Sequence, residues 1–136
     1  MKPTLQPGLE GKMPLTVDTG RTIDFIGESA RVYSTPALLY DLEVACRNLV
    51  LPHLDAGEDS VGTRVEMDHI AATPLGMSVE LTVRLAEVNG RALVFELEGR
   101  DAAEPIVRGR HSRFVVDVAK SAQRLAGKAA KVGATA

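Results

Sequence analysis

From Met77 to Leu85 the chain alternates strictly: Met77, Val79, Leu81, Val83 and Leu85 are apolar, and Ser78, Glu80, Thr82 and Arg84 between them are polar. Side chains leave a β-strand on alternate faces, so this pattern predicts a strand with one face covered and the other in water. Asn89-Gly90 and then "RALVFELEG" follow. Asn-Gly tolerates positive φ at both central positions of a type I′ turn, which predicts two antiparallel neighbours joined by a tight hairpin. A sheet with one apolar face must bury that face against another element.

The cover is found upstream. In "STPALLYDLEVAC", Thr35 is a good N-cap and Pro36 is pre-set for the first helical position, so a helix is predicted from here to Leu51, before Pro52. Leu38, Leu42, Ala45, Cys46 and Leu49 share one helical face, while Val44 and Leu51 add apolar area elsewhere, which predicts a mostly buried helix. Val61, Val65, Met67 and His69 alternate with polar residues in a second strand, all facing one way. After the turn "DAAEP" comes a last strand, "IVRGRHSRFVVDV", in which Gly109 is read as a bulge. Leu15, Val17, Ile23 and Phe25 share one parity and suggest a further extended segment.

The predicted domains are an N-terminal arm at 1–12, rich in Pro and Gly, one domain over 13–118, and a basic helix or tail over 119–136. The fold class is α+β. One long central helix with an antiparallel sheet wrapped around it satisfies the order of elements, an architecture called the hot-dog fold.

A net charge of -2, from 16 basic and 18 acidic residues, gives no global attraction to nucleic acid or anionic membrane. One cysteine, Cys46, excludes an internal disulfide, and with three scattered histidines it offers no metal-ligand pattern, so no metal is expected. Pro and Gly interrupt the N-terminal stretch where a signal peptide needs an apolar run, and no segment reaches the ~20 apolar residues of a membrane span. A cytoplasmic protein without a membrane partner is expected. Motifs of nucleotide-binding loops and of the G-x-S-x-G hydrolase elbow are absent from the sequence.

Individual residues leave alternatives open. Glu43 is either the partner of Arg47 in an i,i+4 ion pair or a half-buried carboxylate made more basic by desolvation, fit to act as base or nucleophile. Asp41, two residues away, points elsewhere. His69 is a hydrogen-bonded core residue or a proton carrier. Thr35 is explained by capping, although a helix N-terminus also polarises a carbonyl. Gly62 permits a tight strand entry or exposes a backbone N–H to a developing oxyanion. The basic residues of the tail, Lys120, Arg124, Lys128 and Lys131, form a solvated face or meet phosphate groups.

"YSTPALLYDLEVACRNLVLPHLDAGEDSVGT" followed by "DHIAATPLGMSVELTVRL" resembles the fluoroacetyl-CoA thioesterase family of hot-dog proteins over roughly Val32 to Val118. The resemblance implies hydrolysis of a small acyl-CoA, with Thr35, Glu43 and His69 as the catalytic set and Gly62 and Arg113 around the substrate. It implies no cofactor, CoA being part of the substrate. It also implies a homodimer or higher homo-oligomer. "FIGESARVYS" departs from the family, with Ile26 and Ser29 standing where the lid carries aromatic residues, so a preference for the fluorinated acyl group is not expected. An Asp followed five positions later by His, the signature of the hydratase branch, is absent.

Geometry already constrains the set. Eight helical residues rise about 12 Å, so Thr35 and Glu43 of one chain are not direct neighbours. The expectation is that a partner subunit supplies Thr35, or that Thr35 meets another part of the substrate. A rival from another class is a binding module that holds acyl-CoA without turnover.

Overall fold

The computed structural model describes residues 1–133. Five antiparallel strands form one sheet: β1 (Glu10–Thr16), β4 (Glu58–His69), β5 (Ser78–Asn89), β6 (Ala92–Asp101) and β7 (Pro105–Asp117), in the spatial order β1-β5-β6-β7-β4. The short strands β2 (Thr22–Ile23) and β3 (Val32–Tyr33) pair with each other ahead of helix α1 (Thr35–Val50). A second helix, α2 (Val118–Lys131), closes the chain. The chain has the hot-dog fold, with α1 laid on one face of the sheet.

The alternation of β5 has its predicted effect. Val79, Leu81, Val83 and Leu85 are buried and pack with Phe95 of β6 and with Leu38, Leu42 and Cys46 of α1 in a single core. Each such large side chain contributes about 1.5–3 kcal/mol when withdrawn from water. The opposite face carries charges of alternating sign, and one row across the sheet reads Glu10, Arg84, Glu96, Arg110, Glu66. Its Arg84 and Glu96 lie 2.8 Å apart.

Several sequence expectations are corrected. Residues 1–12 are not a loose arm: β1 starts at Glu10, Leu5 is buried in the core, and the Gly8 N–H donates to the Leu85 carbonyl at 2.8 Å. Pro and Gly masked a single apolar anchor. The parity of Leu15, Val17, Ile23 and Phe25 is broken by a 3-10 turn at Thr19–Arg21, which leaves Phe25 84% exposed. In the hairpin Asn89 pairs with Ala92, so the two turn residues are Gly90 and Arg91, and only Gly90 has positive φ, at 61°. That is the glycine position of a type II′ turn. Gly109 is no bulge. It stays in register with Met67 and Leu97, and a Cβ there would run into the backbone of Glu66 and Met67.

The bulge lies instead in β4, where the register with β7 shifts between Gly62 and Arg64. It reverses the parity of the strand. Val61 pairs with Phe114 on the outer face, whereas Val65, Met67 and His69 pair with His111, Gly109 and Val107 on the helix side. Gly62, paired with Arg113, also faces the helix. Without the bulge, residues 62 and 69, seven apart, would point to opposite faces.

The helix start is displaced by one residue. Ser34 is the N-cap and its Oγ accepts from the Ala37 N–H at 3.1 Å, so Thr35 is the first helical residue. Asp41 does point away from Glu43, into a buried contact where it accepts from the Tyr33 hydroxyl and from Arg21 Nε at 2.8 Å. This ties the segment before α1 onto the helix. The tail forms α2 with no buried side chain, and residues 134–136 of the predicted tail lie outside the described residues. Among the described residues no helix is long and apolar enough to cross a membrane.

Candidate active site

The five candidate residues fall into two groups, at opposite ends of the exposed part of β4. At its C-terminal end, Thr35 Oγ1 lies 2.8 Å from His69 Nδ1. Because Ser34 satisfies the cap, the Thr35 hydroxyl is free for this contact. The other ring nitrogen, His69 Nε2, is buried without a hydrogen-bond partner. An unpaired buried polar atom is costly and calls for a partner such as a water, a ligand or a second copy of the chain. Burial holds the His69 pKa below its usual value, so the ring is neutral at pH 7. A depression of about 260 Å³ opens here, walled by Ile23, Val32, Tyr33 and Ile70.

At the other end is Glu43. The predicted pair with Arg47 is not made, because Arg47 grips Asp59 instead at 2.9 and 2.6 Å. Nor is the setting apolar, as expected from the helix pattern. The Glu43 side chain keeps 42% exposure and its Oε2 accepts from Arg113 Nη1 at 3.2 Å. Gly62 lies against the same oxygen, and a Cβ at Gly62 would collide with Oε2. Here a side chain would be accommodated by moving the Glu43 carboxylate and not by straining φ.

Arg113, expected beside the substrate, is only 4% exposed, and its fork is consumed by the protein. Nε donates to Ser60 Oγ at 2.8 Å and Nη2 to the Ser60 carbonyl at 2.7 Å, which leaves Nη1 for Glu43. The arginine therefore stands behind the carboxylate. The sequence reading also passed over His111, whose Nε2 is 3.1 Å from Arg113 Nη1 and 4.0 Å from Glu43 Oε2. The i,i+2 spacing of His111 and Arg113 puts both on one face of a strand, a signal that becomes informative only when the register with Gly62 is known.

Thr35 and His69 are thus brought together, as are Glu43, Gly62 and Arg113. No direct contact joins the two groups within the chain, in keeping with the ~12 Å helical rise between Thr35 and Glu43. Chemically the first group offers a neutral imidazole with a free nitrogen and a hydroxyl, and the second offers a partly exposed carboxylate held at one oxygen.

The sequence and the fold are similar to those of known thioesterases. The chain is 36% identical over 93 residues to the fluoroacetyl-CoA thioesterase of Streptantibioticus cattleyicolor, which covers 68% of this chain and 67% of the relative. A crystal structure of a single-site mutant of the fluoroacetyl-CoA-specific thioesterase superposes with a TM-score of 0.86 at 28% identity, covering 93% of this chain and 99% of the other. A Thermus thermophilus member of the thioesterase superfamily superposes with a TM-score of 0.83 at 28% identity, covering 94% and 97%. The family model described as fluoroacetyl-CoA-specific thioesterase matches residues 17–119, a span that holds both groups of site residues, and the chain belongs to that family.

Proposed function

We propose that the protein hydrolyses a short-chain acyl-CoA thioester to the free acid and CoA, at a site completed by a second copy of the chain. The observation that carries this is the division of the site: a carboxylate group and a hydroxyl–imidazole group, each ordered, both on the helix face of the edge strand β4, and too far apart to act together in one chain. Family membership and the similarity to acyl-CoA thioesterases support the substrate class.

An exposed edge such as β4 is a template for pairing. Antiparallel pairing of β4 with itself about a twofold at Glu66, with the bulge between Gly62 and Arg64, brings Gly62 and Glu43 of one subunit beside the partner's His69 and the partner's Thr35. Two identical composite sites result from one symmetric contact.

In such a site Glu43 takes a proton from water as the oxygen attacks the thioester carbonyl. The Gly62 N–H and the Thr35 hydroxyl stabilise the oxyanion, and His69 moves the proton to the departing CoA sulfur. Direct attack by Glu43 would instead give a mixed anhydride. Label in the Glu43 carboxylate after a single turnover in H2(18)O would identify the anhydride route with water attacking the Glu43 carbonyl; attack at the acyl carbonyl labels the product acid, as direct hydrolysis does. The depression beside Thr35 is open to solvent and supplies one wall of the proposed site. Phe25 and Ile26 are 84% and 70% exposed and do not line this depression.

The test is CoA release from acetyl-, fluoroacetyl-, medium-chain and aryl-CoA. Turnover of a short acyl-CoA that collapses in Glu43→Gln is the expected result, and binding without turnover of any member would replace the enzyme with a binding module. Mixing Thr35→Ala and Glu43→Gln subunits tests the composite site. Random exchange gives half heterodimers with one intact site each, so about a quarter of wild-type activity returns. No recovery after demonstrated exchange would place each site within one chain.

A further inference from the structure

His111 is buried on β7, 4% exposed, with both ring nitrogens engaged. Nδ1 lies 2.8 Å from the Arg64 carbonyl of β4, which only accepts, so Nδ1 carries the proton. Nε2 lies 3.1 Å from Arg113 Nη1, which only donates. The ring is therefore neutral, and its tautomer is fixed by its neighbours. The same Nη1 donates to Glu43 Oε2 at 3.2 Å, so the two hydrogens of one nitrogen are divided between a histidine and a carboxylate.

We infer that His111 is a positioning residue for Glu43: its neutral ring fixes Arg113 Nη1 so that the second hydrogen of that nitrogen points at the carboxylate, and protonation of the ring releases the hold. Its catalytic consequence rests on the thioesterase function proposed above.

The groups around the ring define what protonation would do. β7 contributes the Arg113 guanidinium, and α1 contributes Glu43, 4.0 Å from Nε2. α1 also places the Cys46 thiol near Arg113 and Glu43, its pKa pushed up to about 12 by burial, so it stays neutral. β4 offers a backbone carbonyl, and β6 offers the Phe95 ring, stacked with its centroid 6.3 Å away. A proton on Nε2 would set N–H against N–H at Arg113 and present a new donor to Glu43, exchanging the carboxylate's partner. Burial holds the His111 pKa below its usual value against the opposing Arg64 carbonyl, while the Arg113 charge lowers it further and Glu43 raises it least, so the neutral form prevails at pH 7.

Two substitutions separate the functions of the ring. His111→Gln places an amide oxygen near the position of Nε2 and cannot be protonated, whereas His111→Asn keeps a donor for the Arg64 carbonyl but cannot reach Arg113. The expected result is that Gln keeps kcat within ~3-fold and removes one inflection from the acid limb of the pH profile. Asn is expected to lower kcat ~10-fold at little changed KM in a folded protein of somewhat lower melting temperature. Wild-type kcat and pH profile in folded Asn, or equal losses in folded Gln and Asn, would overturn the inference. A second measurement needs no turnover: imidazole 15N NMR of the wild-type protein at pH 7.5 is expected to show His111 as the Nδ1–H tautomer. An Nε2–H tautomer or a charged ring would overturn the inference even in an active enzyme. Absence of turnover together with the expected tautomer would fail the thioesterase function and leave the positioning contact in place.

Discussion

The two ends of β4 solve opposite problems. Around Glu43 every strong donor is committed, with Arg113 holding Ser60 twice, His111 once and Glu43 once, so the carboxylate is fixed from behind by a buried guanidinium. Around His69 the polar set is incomplete: Thr35 occupies one ring nitrogen and the other is buried without a partner. A saturated network fixes geometry, while an unsatisfied one keeps a group available, and a hydrolytic site needs both. Within one chain the two groups, carried on one helix and two paired strands, do not touch.

That contrast can be broken at either end. The largest effect is expected from Glu43→Gln, which keeps the shape of the saturated end and removes its base: kcat in CoA release falls ~10³-fold, about 4 kcal/mol of transition-state stabilisation. A mutant that keeps a tenth of wild-type kcat would remove Glu43 from the chemistry. Gly62→Ala comes next. Its Cβ displaces Glu43 Oε2, and kcat falls ~10²-fold while the melting temperature changes little, because the Gly62 backbone has no positive φ to strain. At the unsatisfied end, Thr35→Ala lowers kcat ~10-fold and Thr35→Ser restores most of it, since only the hydroxyl meets His69.

Outside both ends, Asp41→Ala tests whether the segment before α1 is anchored independently. It leaves the buried Tyr33 hydroxyl without its acceptor and the Arg21 guanidinium with Asp18 as its remaining carboxylate partner. Because Arg21 is 31% exposed, the expected loss is about 2 kcal/mol in denaturant unfolding, less than a fully buried pair would give. The smallest effect is the dependence of stability on pH. His69 and His111 both have folded pKa values below the ordinary 6.5, so the unfolded chain binds more protons at mildly acidic pH. Their contribution is complete above pH ~6.5 and declines as pH falls below it. Melting should therefore be lower at pH 5.5 than at pH 7.5, with a weaker dependence in His69→Gln.

Local patterns were legible where one physical rule governs. The alternation of Met77 to Leu85 and the Thr-Pro helix start each follow from a single periodicity or a single dihedral preference, and both elements stand where they were expected, within a residue or two. The misreadings have a common source. Ser34 and Thr35 are both good caps, and only the backbone at Ser34, at φ -75° and ψ 148°, decides between them. The uniform parity of Val61 to His69 is undone by the register shift between Gly62 and Arg64, for which the amino acids carry no separate mark.

Sequence by itself determined the elements, the covered face of the sheet, the apolar face of α1 and the residue types of the candidate set, because these depend on neighbours within a few positions. Tertiary structure decided which of those residues meet. Arg47 pairs with Asp59 of β4 while Glu43 pairs with Arg113 of β7, and His111 neighbours Glu43 because of the register in which β7 pairs with β4. Contacts between residues 70 positions apart in the chain, such as Glu43 and Arg113, are set by strand register and by one bulge, and a periodicity read along the chain is blind to both.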